Sequence, residues 1–364
     1  MCIRDRGKTW DFHVDVALGI SPEENLAGIR ESIEAVVAAG REALLDCEHF
    51  FDGFKANPDY ALSCAKAAYE AGVRWVVLCD TNGGTLPEEV HAIVTEVVTH
   101  IPGDHVGIHA HNDTDNGVAN SLAAVRAGAR QIQGTLNGLG ERCGNANLTS
   151  VVPTLLLKER YAQRFETKIS PETLGTLTHA SRILDEILNQ APNRHAPYVG
   201  EAAFAHKGGI HVSAVKKDPR TYEHVAPETV GNARKLLVSN QGGRSNVLAQ
   251  LESSGLTVAN DDPRVSRLVE LVKEREAVGY AYEAAEASFE LLARRMLETV
   301  PQFFEVDSFR VMVERRHNAL GELVTVSEAT VKASVHGNAV MSVGEGNGPV
   351  NALDNALRKD LGPY

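Results

Sequence analysis

Cysteine is scarce in this sequence and shows no pairing pattern. There are five among 364 residues (Cys2, Cys47, Cys64, Cys79 and Cys143), an odd number with no Cys-x-x-Cys spacing. That excludes a disulfide framework and a zinc finger, and it suits a reducing, cytoplasmic compartment. No apolar run approaches the ~18 residues that cross a bilayer. The stretch Met1 to Gly7 is too polar to form the apolar core of a signal peptide. Positive charge is also short: 36 Lys and Arg against 48 Asp and Glu give a net charge of −12. A nucleic-acid or anionic-membrane partner is excluded on that balance, although a local basic pocket for an anionic ligand is not. Low-complexity segments are absent. What is present, 43% hydrophobic and 23% charged residues, is the balance of a folded globular chain. At roughly 150 residues per domain the length predicts two or three domains.

From about Ser21 to Leu157 helix and strand signals alternate. Ser21-Pro22-Glu23-Glu24 is a capping box with proline at the first helical position, and Gly40 closes that helix. Short apolar strands are expected at Ala43–Cys47, Trp75–Cys79, Val106–His109 and Gln131–Gly134. Helices are expected at 57–72, from Thr85-Leu86-Pro87-Glu88 onward, and at 116–127. Repeated strand–helix units with short buried strands predict an α/β class with a parallel sheet. Four clear strands, with a fifth cut off before Gly7, leave two architectures open: part of an eight-stranded barrel, which needs about 250 residues, or a small open sheet.

Beyond Leu157 the pattern changes. Ser170-Pro171-Glu172 caps a helix with Leu174, Leu177, Leu184 and Leu188 at helical spacing. Residues 192–246 read as loop-dominated, and helices follow from Asp262-Pro263 and over 282–297. From Phe309 the period becomes two (Phe309, Val311, Val313, then Val331, Ala333, Val335), and a final helix is expected at 349–361. This end reads as a separate α+β unit.

The strongest chemical signal is His109-Ala110-His111-Asn112-Asp113, directly after a predicted buried strand. Residues two apart on a strand share a face, so both imidazoles can converge as half of a divalent-metal site. A pair of loop histidines bonded to neighbours fits the spacing equally well. Polar groups also follow the other strands: Glu48 and His49 after Cys47, then Asp80, Thr81 and Asn82 after Cys79. The C-terminal strand ends are the functional edge of parallel sheets, and any one such residue alone would read as a helix cap. The glycines of Gly138-Leu139-Gly140-Glu141-Arg142-Cys143-Gly144-Asn145 have the wrong spacing for a dinucleotide fingerprint. Asn145 can supply an oxygen ligand or cap the next helix. Cys79 and Cys143 read as small packed residues, since nothing activates either thiol.

These motifs together resemble the acyl-CoA Claisen-condensing synthases of the isopropylmalate, homocitrate and citramalate group. The matching stretches are Asp46 to Gly53, Cys79 to Thr85, His109 to Asp113, Gly140 to Asn147, Ala205 to His211 and Asp218 to Glu223. The wording His-Phe-Phe-Asp-Gly and Thr-Asn-Gly-Gly-Thr is closest to the citramalate synthase branch. The resemblance implies a C-terminal part of a (βα)8 TIM barrel, a mainly helical linker region, and the start of an α+β regulatory dimer domain. The expected boundaries are an unmatched leader at 1–6, barrel at 7–195, linker at 196–299 and dimer domain at 300–364.

It further implies that His109, His111 and Asn145 ligate a divalent metal (Mg, Mn or Zn), with Thr81 holding the carboxylate of a 2-keto acid. Glu48 and His211 would share proton transfer with Tyr222 nearby. Acetyl-CoA is the implied co-substrate and pyruvate the keto acid of the citramalate branch, in branched-chain amino-acid (isoleucine) biosynthesis. An amino-acid feedback inhibitor and a homodimer are implied partners. Gly344-Glu345-Gly346-Asn347-Gly348 matches the dimer domain and is not a phosphate loop.

The family's first-strand aspartate, a metal ligand, and its enolate-stabilising arginine have no match here. Ile3-Arg4-Asp5-Arg6 resembles that opening only superficially, because Gly7-Lys8-Thr9-Trp10-Asp11 matches the exit of the fourth strand. The chain is therefore expected to be incomplete at both ends, and weakly active or inactive alone. Two other readings stay open. One is a relative with other chemistry, an isopropylmalate or homocitrate synthase or a retro-Claisen lyase, the lyase being disfavoured by the dimer-domain match. The other is a non-catalytic chain that binds an amino acid or a partner chain.

Overall fold

Ser21 Oγ accepts from the Glu24 backbone N–H (3.1 Å) while the Glu24 carboxylate accepts from the Ser21 N–H (2.8 Å), and helix α1 (Pro22–Ala38) begins there. That capping box satisfies two of the donors a helix start leaves bare. It is one of several such starts in a computed structural model that describes residues 2–237, 243–282, 285–297 and 300–361. The chain divides into two compact units, Met1–Asn246 and Val247–Tyr364. The division falls inside the stretch expected as linker.

In the first unit β1 (Cys2–Lys8), β2 (Glu42–Glu48), β3 (Trp75–Asp80), β4 (Val106–Ala110) and β5 (Gln131–Gln133) form one sheet in the order β1-β2-β3-β4-β5. Every neighbouring pair is parallel. After α1, the helices α2 (Phe50–Ala56), α3 (Pro58–Glu70), α4 (Pro87–His100) and α5 (Gly117–Ala127) alternate with the strands. Sequential parallel order is the winding of a (βα)8 barrel; a doubly wound sheet reverses its order at a switch point. Curvature confirms it. Gln133 on β5 hydrogen-bonds Asp46 on β2 at 3.1 Å, although three strand spacings on a flat sheet would hold them ~14 Å apart. The core between sheet and helices holds Ile33, Leu45, Phe50, Phe51, Leu78 and Ile108, all fully buried.

Residues 2–6, expected as an unmatched leader, form most of β1. The reason is electrostatic. Arg4 and Lys8 pair with Asp46 and Glu48 on β2, and Arg6 lies 3.7 Å from Glu48. Residues two apart share a strand face, so alternate cations meet alternate anions, and a search for apolar runs passes over such a strand. The stretch 192–246 is less loop-dominated than expected. After helices α6 (Leu148–Leu157) and α7 (Leu177–Ile187), it carries the two-residue strands β6 (Ala205–His206) and β7 (Lys235–Leu236) and a helix, α8 (Gly209–Lys217).

The second unit contains helices α9 (Pro263–Ala277) and α10 (Glu286–Leu297). An antiparallel sheet follows, of β8 (Phe304–His317), β9 (Leu323–Val335) and β10 (Asn338–Gly346) in the order β10-β9-β8, with helix α11 (Pro349–Leu361). Ala329, Val331 and Ala333 of β9 pack against Ala352 and Ala356 of α11. A Cβ at Gly344 would stand 2.4 Å from the Ala356 nitrogen, and one at Gly346 2.4 Å from the Ala352 nitrogen. The glycines thus let helix and strand approach each other. Among the described residues no helix is long and apolar enough to cross a membrane.

Candidate active site

Of the residues singled out in the sequence, Glu48, Thr81, His109 and His111 lie at or just past C-terminal strand ends and Asn145 is bridged to His111, whereas His211 and Tyr222 lie elsewhere. His109 lies on β4 and His111 just past its end, with ring centroids 5.2 Å apart. The His111 backbone N–H donates to the Asp80 carbonyl at 3.2 Å, tying the β4 exit to β3. Asn145 forms an antiparallel bridge with His111. The helix-capping reading of Asn145 fails, because Asn147 caps α6 through the Thr149 N–H at 2.9 Å. Among the described residues, His111 Nδ1 and Asn145 Oδ1 are buried without hydrogen-bond partners. An unpaired buried polar atom is costly, so an unpartnered imidazole nitrogen and amide oxygen on bridged residues suit a cation's ligand set. Burial, then the neighbouring His109 and Arg142, lower the His111 pKa and favour the neutral, ligating imidazole. No group of three or more His, Cys, Asp or Glu suited to a metal occurs among the described residues. The candidate set is instead two imidazoles and an amide.

Thr81 and Glu48 belong to the neighbouring exits. The His49 N–H donates to Thr81 Oγ1 at 2.8 Å, and His49 is held at φ 57° to do so. Glu48 Oε2 accepts from Lys8 Nζ, its register partner across β1 and β2. Burial works to raise the Glu48 pKa, but Lys8, Arg6 and His49 outweigh it and hold the carboxyl below its ordinary value. His211 and Tyr222 stack on each other with centroids 4.0 Å apart, both exposed, on α8 and just beyond the turn that follows it. Contacts thus group the expected residues as His109–His111–Asn145, Thr81 with His49 beside Glu48, and His211–Tyr222.

Cys79 is buried, as expected, and burial raises its thiol pKa well above the ordinary value. Cys143 is exposed, so the packed reading does not hold for it. It lies on a loop wound by Arg142 at φ 54° and Gly144 at φ 84°.

Four features escaped the sequence reading. Lys8 on Glu48 is one. A second is Arg142, whose guanidinium donates to both Asp113 carboxylate oxygens (2.7 and 2.9 Å) and to the Thr81 carbonyl (2.7 Å), clamping three strand exits. The third is a His13–His49 ring pair 3.9 Å apart, with Trp10 stacked on His13. The fourth is the Gln133–Asp46 contact that spans the sheet. Alternating charge along residues 4–8 could have flagged Lys8. The others depend on contacts across strands.

Three families match in succession: HMGL-like over residues 3–177, homocitrate synthase post-HMGL domain-like over 198–279, and the LeuA allosteric (dimerisation) domain over 283–363. The (R)-citramalate synthase of Geobacter sulfurreducens is 52% identical over 355 residues, covering 98% of this chain and 66% of that protein. The (R)-citramalate synthase of Aquifex aeolicus is 49% identical over the same length and the same shares. A probable 2-isopropylmalate synthase of Methanopyrus kandleri is 33% identical over 362 residues, 99% of this chain and 68% of that one. The chain belongs to the isopropylmalate, homocitrate and citramalate synthase family. It spans just under two thirds of the length of the citramalate synthases that it matches.

Proposed function

We propose that this chain is the catalytic part of a citramalate synthase-type acyltransferase. It would condense acetyl-CoA with pyruvate to give a 2-hydroxy dicarboxylic acid and free CoA, in isoleucine biosynthesis. Identity of 49–52% to (R)-citramalate synthases over 98% of the chain, against 33% to the isopropylmalate relative, is the observation that carries this reading.

His109, His111 and Asn145 would hold a divalent cation, Mg, Mn or Zn, and two buried, unpartnered polar atoms among them support that assignment. A cation there, when bound, polarises the ketone as a Lewis acid. The Thr81 hydroxyl accepts from His49 and so keeps its own proton to donate to the keto acid's carboxylate. Glu48, kept ionised by Lys8, would take a methyl proton from acetyl-CoA. The resulting carbanion attacks the keto carbon, the new alkoxide is protonated, and water then cleaves the thioester. His211 and Tyr222, stacked and exposed, are assigned to proton transfer and positioning in those later steps.

A homodimer through the second unit is part of the proposal, with that unit as the place for an amino-acid feedback inhibitor. The match to an allosteric (dimerisation) domain supports it. So does β8, a 14-residue edge strand exposed along nearly its whole length, since such an edge presents unpaired backbone groups to another chain. The test is CoA release from acetyl-CoA with pyruvate, 2-ketoisovalerate and 2-ketoglutarate in Mg or Mn. Pyruvate should be used preferentially. Preference for either of the larger keto acids would move the chain to the isopropylmalate or homocitrate branch.

A further inference from the structure

Gln133 is the last residue of β5 and the register partner of His109 on β4. Its Oε1 lies 3.0 Å from His109 Nδ1, and its Nε2 donates to Asp46 Oδ1 at 3.1 Å. Asp46 is buried at 2% exposure, and its other oxygen, Oδ2, is 2.5 Å from Arg4 Nε. The chain Arg4–Asp46–Gln133–His109 therefore crosses the interior of the curved sheet, from the first strand through the second and fifth to the fourth.

The polarity of this chain has one solution. Arg4 only donates, so Asp46 stands as a carboxylate that only accepts. A buried carboxylate left with an unmet oxygen is costly, so Gln133 must turn its NH2 towards Asp46. The opposite rotamer would set the amide carbonyl against the carboxylate with no proton between them. With its NH2 committed, Gln133 shows only its carbonyl oxygen to His109, and an acceptor there demands an N–H on Nδ1. A neutral imidazole protonated at Nδ1 keeps its lone pair on Nε2.

We infer that Gln133 and Asp46 are positioning residues that hold His109 in its Nδ1–H tautomer and so leave Nε2 as its ligating nitrogen. The inference rests on the metal reading of His109 for its purpose, though not for its geometry. Histidines that ligate metals usually donate their other N–H to a fixed acceptor, which sets ring orientation and raises ligand basicity. Here the acceptor is an amide whose orientation is set in turn by a buried ion pair. No part of this is legible from spacing, because Asp46 and Gln133 are 87 residues apart.

The test has two arms. In metal-free wild-type protein labelled with 15N-histidine, the side-chain nitrogen shifts of His109, assigned by their loss in His109→Asn, report the tautomer directly. A pure Nδ1–H form is expected, and a dominant Nε2–H form overturns the inference. This arm needs no other variant and stands whatever becomes of the metal. In the second arm Mn2+ affinity is measured by calorimetry, with circular dichroism as the check on folding. Gln133→Met should bind about 10–100-fold more weakly than wild type. Asp46→Asn, which frees the amide to turn over, should give a mixed tautomer and an intermediate affinity. Wild-type affinity in a folded Gln133→Met overturns the positioning role. Unchanged affinity in His109→Asn would instead remove the metal reading, leaving the tautomer to be decided by the first arm.

Discussion

The two sheets of this chain solve the same burial problem in opposite ways. In the parallel sheet, residues 43–47 of β2 and 76–80 of β3 are buried without interruption, because helices cover one face and the curled sheet covers the other. In the antiparallel sheet, β9 alternates buried positions with half-buried or exposed ones from Ser327 to Val335, with α11 covering one face. The consequence is functional. A strand buried on both faces meets ligands mainly at its end, and Glu48, Thr81 and His111 lie at or just past such ends, with Asn145 bridged to His111. A strand with an open face or edge can offer a surface, and β8 exposes Phe309, Met312 and Val313 at 66, 58 and 53%. On the proposed reading the first sheet would hold small groups at fixed points and the second would meet another chain.

The largest effect that tests this division is loss of the paired imidazoles. His109→Ala with His111→Ala should abolish measurable Mn2+ binding and lower CoA release by about 10³-fold or more, since a Lewis acid lowers the barrier by several kcal/mol. Secondary structure should be kept. Full turnover in that variant would remove the metal site. Next is Gly344→Val, which drives a side chain into the α11 backbone. It should destabilise the second unit by about 1–3 kcal/mol in thermal unfolding, while Mn2+ affinity in the first unit stays as it was. A matching loss of metal would show that the two units are not separable. Smaller again, Phe309→Asp with Met312→Asp should weaken self-association about tenfold or more by analytical ultracentrifugation, with melting temperature unchanged. An unchanged association constant would place the dimer contact elsewhere.

Much of this contrast was readable in the sequence, and the reason is periodicity. Continuous apolar runs between helix caps gave β2, β3 and β4 within a residue or two, and the period-two stretches gave β8 and β9. The pair His109 and His111 stood out because a strand places residues two apart on one face. β1 did not stand out, because its side chains are chosen for charge on Asp46 and Glu48 rather than for burial. Gln133 and Arg142 were invisible for a different reason. Their partners are 87 and 29 to 61 residues away, and only curvature and loop winding bring them into reach. β10 was not picked out, and its Gly344 and Gly346, which interrupt the apolar pattern, act in the structure as the groove for α11.

The smallest predicted effect concerns how the first sheet tunes one of its terminal groups. Glu48 faces Lys8 and Arg6 from β1 and His49 at its own strand exit. Burial alone would raise its pKa, and the cations reverse the sign. In Lys8→Met the burial remains while the strongest opposing partner is gone, so the Glu48 pKa should rise. If Glu48 is the base, the acid limb of the kcat/KM profile should then move to higher pH, with little change at neutral pH where the carboxyl stays ionised. Lys8→Arg should restore the limb. Stability follows the same sign. A carboxyl held below its unfolded value of about 4.3 stabilises the fold above that pH and loses the contribution as pH falls through the lowered folded value. Lys8→Met should therefore unfold with a weaker acid dependence just below pH 4.3. An acid limb that stays in place, in a variant whose acid unfolding has changed, would separate the two roles: Lys8 would still hold Glu48, but Glu48 would no longer be the base.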